Sequence, residues 1–194
     1  ISLWNDFNPK GRVDLDLQAT KSMSGGKVDW SAAVGCRDVS LIYKEFKYLV
    51  ERVTGEILCR PDKIIIDAHT IIAGKPITAK GTVDRPGPDA VIRLEFTGEA
   101  LPIDKALLDA LPPEVKKVVD SFKPAGTVRG KAGIIRTPSP RAASEPKGII
   151  SFSADLDINP GGEITWDGLK YPVNNLTGHL ELRPTSWTFT TMNG

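Results

Sequence analysis

The sequence predicts a mainly β protein: an antiparallel meander curled into an open twisted groove, with one short broken helix between two repeats. Three observations predict it. Apolar and polar residues alternate strictly in run after run, turn-forming residues separate the runs, and two blocks of sequence recur in order more than 100 residues apart.

The runs come first. In residues 12–19, Val13, Leu15, Leu17 and Ala19 alternate with Arg12, Asp14, Asp16 and Gln18. Successive side chains of a strand point to opposite faces, so this pattern makes one face apolar and leaves the other in water. Residues 27–34 set Val28, Trp30, Ala32 and Val34 against Lys27, Asp29, Ser31 and Ala33, and residues 38–43 set Val39, Leu41 and Tyr43 on one face. Ile92, Leu94 and Phe96 alternate with Arg93 and Glu95, and Ile150, Phe152, Ala154, Leu156 and Ile158 with serines and aspartates. Ser24-Gly25-Gly26, Arg85-Pro86-Gly87-Pro88 and Asn159-Pro160-Gly161-Gly162 supply turn chemistry between runs. From the turn spacing, about ten strands are expected.

Residues 103–121 break the alternation and read as helix in two pieces. Asp104 is an N-cap for residues 105–111, Pro112-Pro113 interrupts, and Pro113 opens a second piece through Val119. Leu107, Leu108 and Leu111, then Val115, Val118 and Val119, form the apolar stripe.

The repeat is carried by two blocks. Phe7-Asn8-Pro9-Lys10-Gly11 returns 115 residues later as Phe122-Lys123-Pro124-Ala125-Gly126. Lys47-Tyr48-Leu49-Val50, Thr54-Gly55 and Arg60-Pro61 return 123 residues later as Lys170-Tyr171-Pro172-Val173, Thr177-Gly178 and Arg183-Pro184. The longer second offset implies an insertion, for which the proline-bearing stretch 137–146 is the natural place. The organisation is then a first repeat with its terminal helix over 1–121 and a second, truncated one over 122–194. A chain that opens on Ile1 and stops at Gly194 within a strand-like run is expected to be a segment of a longer array.

Composition narrows the function. The chain has 194 residues, 40% of them hydrophobic and 25% charged, which suits a folded chain rather than a disordered one. A formal charge of +1 supplies no basic field for nucleic acid. No apolar run reaches the roughly 18 residues of a membrane helix.

Residues that tempt a chemical reading are few. His69 and His179 are the two histidines, and no GxSxG elbow accompanies them, so no catalytic residue is expected. Asp14, Asp16, Asp155 and Asp157 lack the glycine-bearing loop of a calcium site and read as a solvated face, and no metal or cofactor is expected. Asn175-Leu176-Thr177 matches a glycosylation sequon, a short pattern of little weight. Cys36 and Cys59 lie symmetrically about a turn placed at residues 46–49, where a hairpin would set them opposite each other; a disulfide and a pair of packed thiols are both open. The tryptophans default to packing on apolar faces.

The apolar face needs a cover. One broken helix cannot blanket so wide a sheet. The sheet must fold over as a sandwich or barrel, or remain an open trough whose lining meets another apolar molecule. In the second case the lining comprises Val13, Leu15, Leu17, Val28, Trp30, Val34, Val39, Leu41, Tyr43, Ile92, Leu94, Phe96, Ile150, Phe152, Ala154 and Leu156.

The Phe-x-Pro-x-Gly openers at Phe7 and Phe122, the Lys-Tyr-x-Val…Thr-Gly blocks at Lys47 and Lys170, and Gly98-Glu99-Ala100-Leu101-Pro102-Ile103-Asp104 resemble the AsmA-like proteins of bacterial envelopes, of the repeating β-groove (bridge-like lipid transfer) superfamily. The resemblance covers most of the chain. It implies a trough, apolar within, in a periplasm-spanning protein anchored in the inner membrane and tied to phospholipid traffic and outer-membrane biogenesis. Its implied partners are phospholipid or another acyl-chain lipid, the membrane through an anchor outside this segment, and neighbouring repeats of the same chain. The family's anchor helix and C-terminal portion have no counterpart here.

Overall fold

The computed structural model describes residues 7–21, 28–43, 46–111, 113–139 and 148–194. Six strands open the chain: β1 (Lys10–Lys21), β2 (Val28–Tyr43), β3 (Phe46–Cys59), β4 (Lys63–Ile72), β5 (Lys75–Asp84) and β6 (Val91–Pro102). Helices α1 (Lys105–Ala110) and α2 (Pro113–Phe122) follow, then β7 (Thr127–Thr137), β8 (Ile149–Trp166), β9 (Leu169–Arg183) and β10 (Ser186–Asn193). All ten strands make one antiparallel sheet in chain order, and the sheet does not close. Among the described residues, substantial packing is confined to hydrogen-bonded neighbours, to α1 on β3, α2 on β8, and the two helices on each other. The sandwich is therefore not the solution: the sheet is a single open layer. A single layer buries little, and no large side chain among the described residues is fully buried.

Three expectations about turns need correction, and one cause explains them. Residues 27–34 and 38–43 are not two strands but the one strand β2; the turn placed at 46–49 lies inside β3; and Asn159-Pro160-Gly161-Gly162 lies within β8. In each case an extra residue bulges out of the ladder. Cys36 and Val39 are three apart, so strict alternation would put them on opposite faces; Asp38, at φ 61°, absorbs the extra residue, and both stay buried in one cluster with Val53. Arg52 (φ 52°) does this in β3, Gly161 (φ 90°) in β8 and Asn175 (φ 55°) in β9, with register shifts beside each. The Arg85–Pro88 turn does separate β5 from β6. Ser24-Gly25-Gly26 and most of the 137–146 stretch lie outside the described residues.

The backbone repeats with the sequence. The bulges at Asp38 and Arg52 recur at Gly161 and Asn175, each 123 residues on. Asn8 and Lys123 share a φ near 40° (41° and 42°), and Gly11 and Gly126 follow at 134° and 113°. Each of these glycines lies against the neighbouring bulge: a Cβ on Gly11 would sit 2.6 Å from the Asp38 carbonyl oxygen, and one on Gly126 2.9 Å from the Gly162 Cα. The phenylalanine of each block also has one job. Phe7 stacks on Tyr43 at 4.8 Å between centroids, and Phe122 stacks on Trp166, the Tyr43 equivalent, at 6.5 Å. The motif thus clasps the far end of the following hairpin. Phe122→Ala should cost about 2 kcal/mol, less than a fully buried phenylalanine because Phe122 is half-buried. Thermal melts should record it as a shift of roughly 4–8 °C for a chain of this size; an unchanged melt would refute the clasp.

The seam between repeats is continuous sheet: β6 pairs with β7 from Ile92–Arg136 to Pro102–Thr127. The broken helix forms as two helices. Asp104 caps α1, its carboxylate accepting the Leu107 N–H at 2.8 Å, and α2 runs on to Phe122 rather than ending at Val119.

Candidate functional site

Antiparallel partners share a face, so the register shows which residues stand together. One row crosses all ten strands: Val13, Cys36, Gly55, Ala68, Ala79, Phe96, Ala132, Ala154, Leu182 and Trp187. No member is polar. Beside it runs Leu15, Val34, Ile57, Ile66, Gly81, Leu94, Ile134 and Phe152, and beyond that Leu17, Ala32, Cys59, Ile64, Val83, Ile92, Arg136 and Ile150. On the other side Ile77, Gly98, Gly130, Leu156, Leu180 and Phe189 line up. At about 4.8 Å between strands the first row spans roughly 43 Å.

The residues expected to line a trough fall on this face. Val13, Leu15, Leu17, Val34, Ile92, Leu94, Phe96, Ile150, Phe152, Ala154 and Leu156 sit in the rows above; Trp30 pairs with Ala19 and Val28 with Lys21. Val39, Leu41 and Tyr43 lie beyond the β2 bulge, opposite Val53, Val50 and Phe46. Much of this surface is bare: Leu15 is 64% exposed, Leu17 60% and Val13 50%. The contributions of β3, β4, β5, β7, β9 and β10 were missed in the sequence, although Ile64, Ile66 and Ala68 alternate once Ile65 is assigned outward.

The disulfide does not form. Cys36 pairs with Gly55 and Cys59 with Ala32, so the two cysteines are four residues out of register, and both are free. That is roughly 13 Å along the strands, against the 7 Å or so a bridge tolerates. Strand β2 ends at Tyr43 and β3 begins at Phe46, ahead of the turn placed at 46–49, and this moves the register. Both thiols face the apolar side, where burial raises their pKa.

The opposite face is a ladder of charges. Asp14 meets Arg37 at 2.6 Å, Asp67 meets Lys80 at 3.3 Å, Glu95 meets Lys131 at 3.2 Å and Asp155 meets Arg183 at 2.8 Å. Asp157 takes His179 Nδ1 at 2.9 Å and Arg129 at 3.3 Å. His69 lies 3.2 Å from Asp67. Both histidines therefore stand in cross-strand charge networks in water. Asn175 of the sequon carries the β9 bulge.

The hydrogen bond from His179, then Arg129, hold the Asp157 carboxyl below its ordinary value of 3.8. A depressed carboxylate contributes stability that is complete above its unfolded pKa and is lost as pH falls through the folded one. Melting temperature should therefore fall with acidification below about pH 4, and Asp157→Asn should flatten that part of the profile. Parallel profiles for the two proteins would remove Asp157 from the acid response.

No described helix is long and apolar enough to cross a membrane. Compared with protein-family models, with curated proteins and with solved structures, the chain finds no match. Fold and site together define a class: an open, single-layer β-repeat with one charged face and one apolar face that, among the described residues, no second sheet covers.

Proposed function

We propose that this chain is a non-enzymatic segment of a periplasm-spanning bacterial envelope protein, whose apolar face shelters or conducts phospholipid acyl chains in support of lipid transport and outer-membrane biogenesis. The observation that carries the reading is the ten-strand row from Val13 to Trp187, apolar throughout and, among the described residues, without a second layer of sheet over it. An acyl chain laid on that face takes apolar surface of both partners out of water, worth about 25 cal/mol for each Å². Nothing else is required of the protein: no nucleophile, acid or metal. The resemblance of the Phe7 and Phe122 blocks to AsmA-like proteins supports the same assignment, with an inner-membrane anchor outside this segment and neighbouring repeats extending the face. The test is mass spectrometry of lipid extracted from the purified chain. Phospholipid at a reproducible ratio supports the proposal; a lipid-free chain would sink it, in favour of a structural or adhesive repeat that offers this face to protein.

A further inference from the structure

The apolar face has two unlike ends. At the turn end the strands join through polar connections, Arg60-Pro61-Asp62 and the 85–90 segment. At the hairpin end the β2–β3 and β8–β9 hairpins run on past their bulges, whereas β4 stops at Ile72 and β5 starts at Lys75. A recess is left between two arms, and the helices span it: α1 packs on β3 and α2 on β8. The end of α2 is pinned there. Phe122 meets Trp166 and Phe189, both apolar-face residues; the Asp167 N–H donates to the Ser121 carbonyl at 3.0 Å, and Lys123 reaches Asp167 at 2.6 Å.

Charge follows the same axis. Along β7 the face reads Val128, Gly130, Ala132 and Ile134, and turns cationic only at Arg136, whose guanidinium donates to the Ala90 and Pro88 carbonyls at 2.6 and 2.9 Å. Lys21, opposite Val28, ends β1 four residues beyond the row of Leu17 and Arg136, on the same side. Lys75, at the exposed β4–β5 turn, is the exception. From Val128 to Arg136 the strand offers about 26 Å.

Resting on the lipid reading above, we infer that the face is blind at its hairpin end: an amphiphile lies along the strands, its tail toward α1 and α2 and its polar head at the turn end, where the face carries Arg136 on β7 and Lys21 on β1. Two tryptophans report on this. Trp30 stands at the turn end opposite Ala19, and Trp166 at the hairpin end beside Phe122. Each is kept as the sole tryptophan by Trp→Phe changes elsewhere, with folding checked by circular dichroism. The probes are phosphatidylcholines brominated near the glycerol or near the chain methyl. Glycerol-side bromine should quench Trp30 more than methyl-side bromine does, and the order should reverse at Trp166. Quenching in the same order at both sites overturns the orientation and leaves lipid binding standing. No quenching at either site overturns the lipid reading itself, and the orientation with it.

Discussion

Gly55→Ala is expected to destabilise the fold by about 3 kcal/mol or more, with Gly35→Ala as a nearly neutral companion. Gly55 lies in the ten-strand row, between Cys36 and Ala68, at φ 125°. A side chain there is strained by conformation alone, at about 1–3 kcal/mol. It would also drive its Cβ into the Asp67 carbonyl oxygen and to within 2.8 Å of the Ala68 Cα, backbone atoms of a paired strand that cannot rotate away. Gly35, one strand over, has no positive φ, and its Cβ would find Asp14 at an ordinary 3.6 Å. Gly178, the repeat equivalent of Gly55 at φ 153°, should be intermediate, because its nearest obstacle is the movable end of the Met192 side chain. Urea unfolding of the three variants tests the order. If Gly55→Ala and Gly35→Ala unfold together, the close approach of β3 to β4 is not what Gly55 is for.

That glycine also shows what the sequence could and could not display. The alternating runs 12–19, 92–96 and 150–158 became β1, β6 and β8, because a half-buried strand must repeat every two residues. Asp104 capped its helix as expected, because an aspartate before an apolar stripe satisfies a free N–H. The failures share a cause. A bulge changes the phase of alternation, so Asp38 and Pro160-Gly161 read as ends of strands when they are corners within them. Such residues are also turn formers, and only the pairing across the sheet tells the two uses apart. The misplaced turn then carried the disulfide with it.

The face itself was legible on β1, β2, β6 and β8 and hidden on the other strands. Strands β1, β6 and β8 announce themselves because their outward residues are charged or polar. Strand β4 opens Ile64-Ile65-Ile66, with Ile65 outward and 39% exposed, so its phase is lost in a continuous apolar run. Strands β5 and β7 place Ala79, Gly81, Gly130 and Ala132 on the face, and hydropathy gives small residues little weight. The repeat was the stronger instrument. It links Phe7 with Phe122, and in both copies the ring rests on the aromatic residue that ends the second strand after it.

Leu15→Asp combined with Phe152→Asp should remove bound lipid while leaving the chain folded, and the structure changes what such a pair is expected to do. Had the face been sealed in a sandwich, each aspartate would bury a charge and unfold the protein. In the open layer Leu15 is 64% exposed and Phe152 41% exposed, so each carboxylate can stay in water. Full burial of a leucine is worth about 1.5–3 kcal/mol, and Leu15 realises only a minor part of that. The double variant should therefore keep its circular dichroism and a cooperative melt. Its effect on an acyl chain is larger, because both positions lie in the row shared with Val34, Ile57, Ile66 and Leu94, and a chain lying along the strands at either position crosses that row and would have to desolvate a carboxylate. Asp16→Ser with Asp155→Ser on the opposite face is the control: the Asp155–Arg183 pair is exposed, so its loss should change stability little and lipid content not at all. Phospholipid recovered per chain is the readout. Equal lipid in the wild type and the aspartate pair would mean that lipid, if bound, lies elsewhere, and equal loss in both pairs would mean that the two faces are not distinguished.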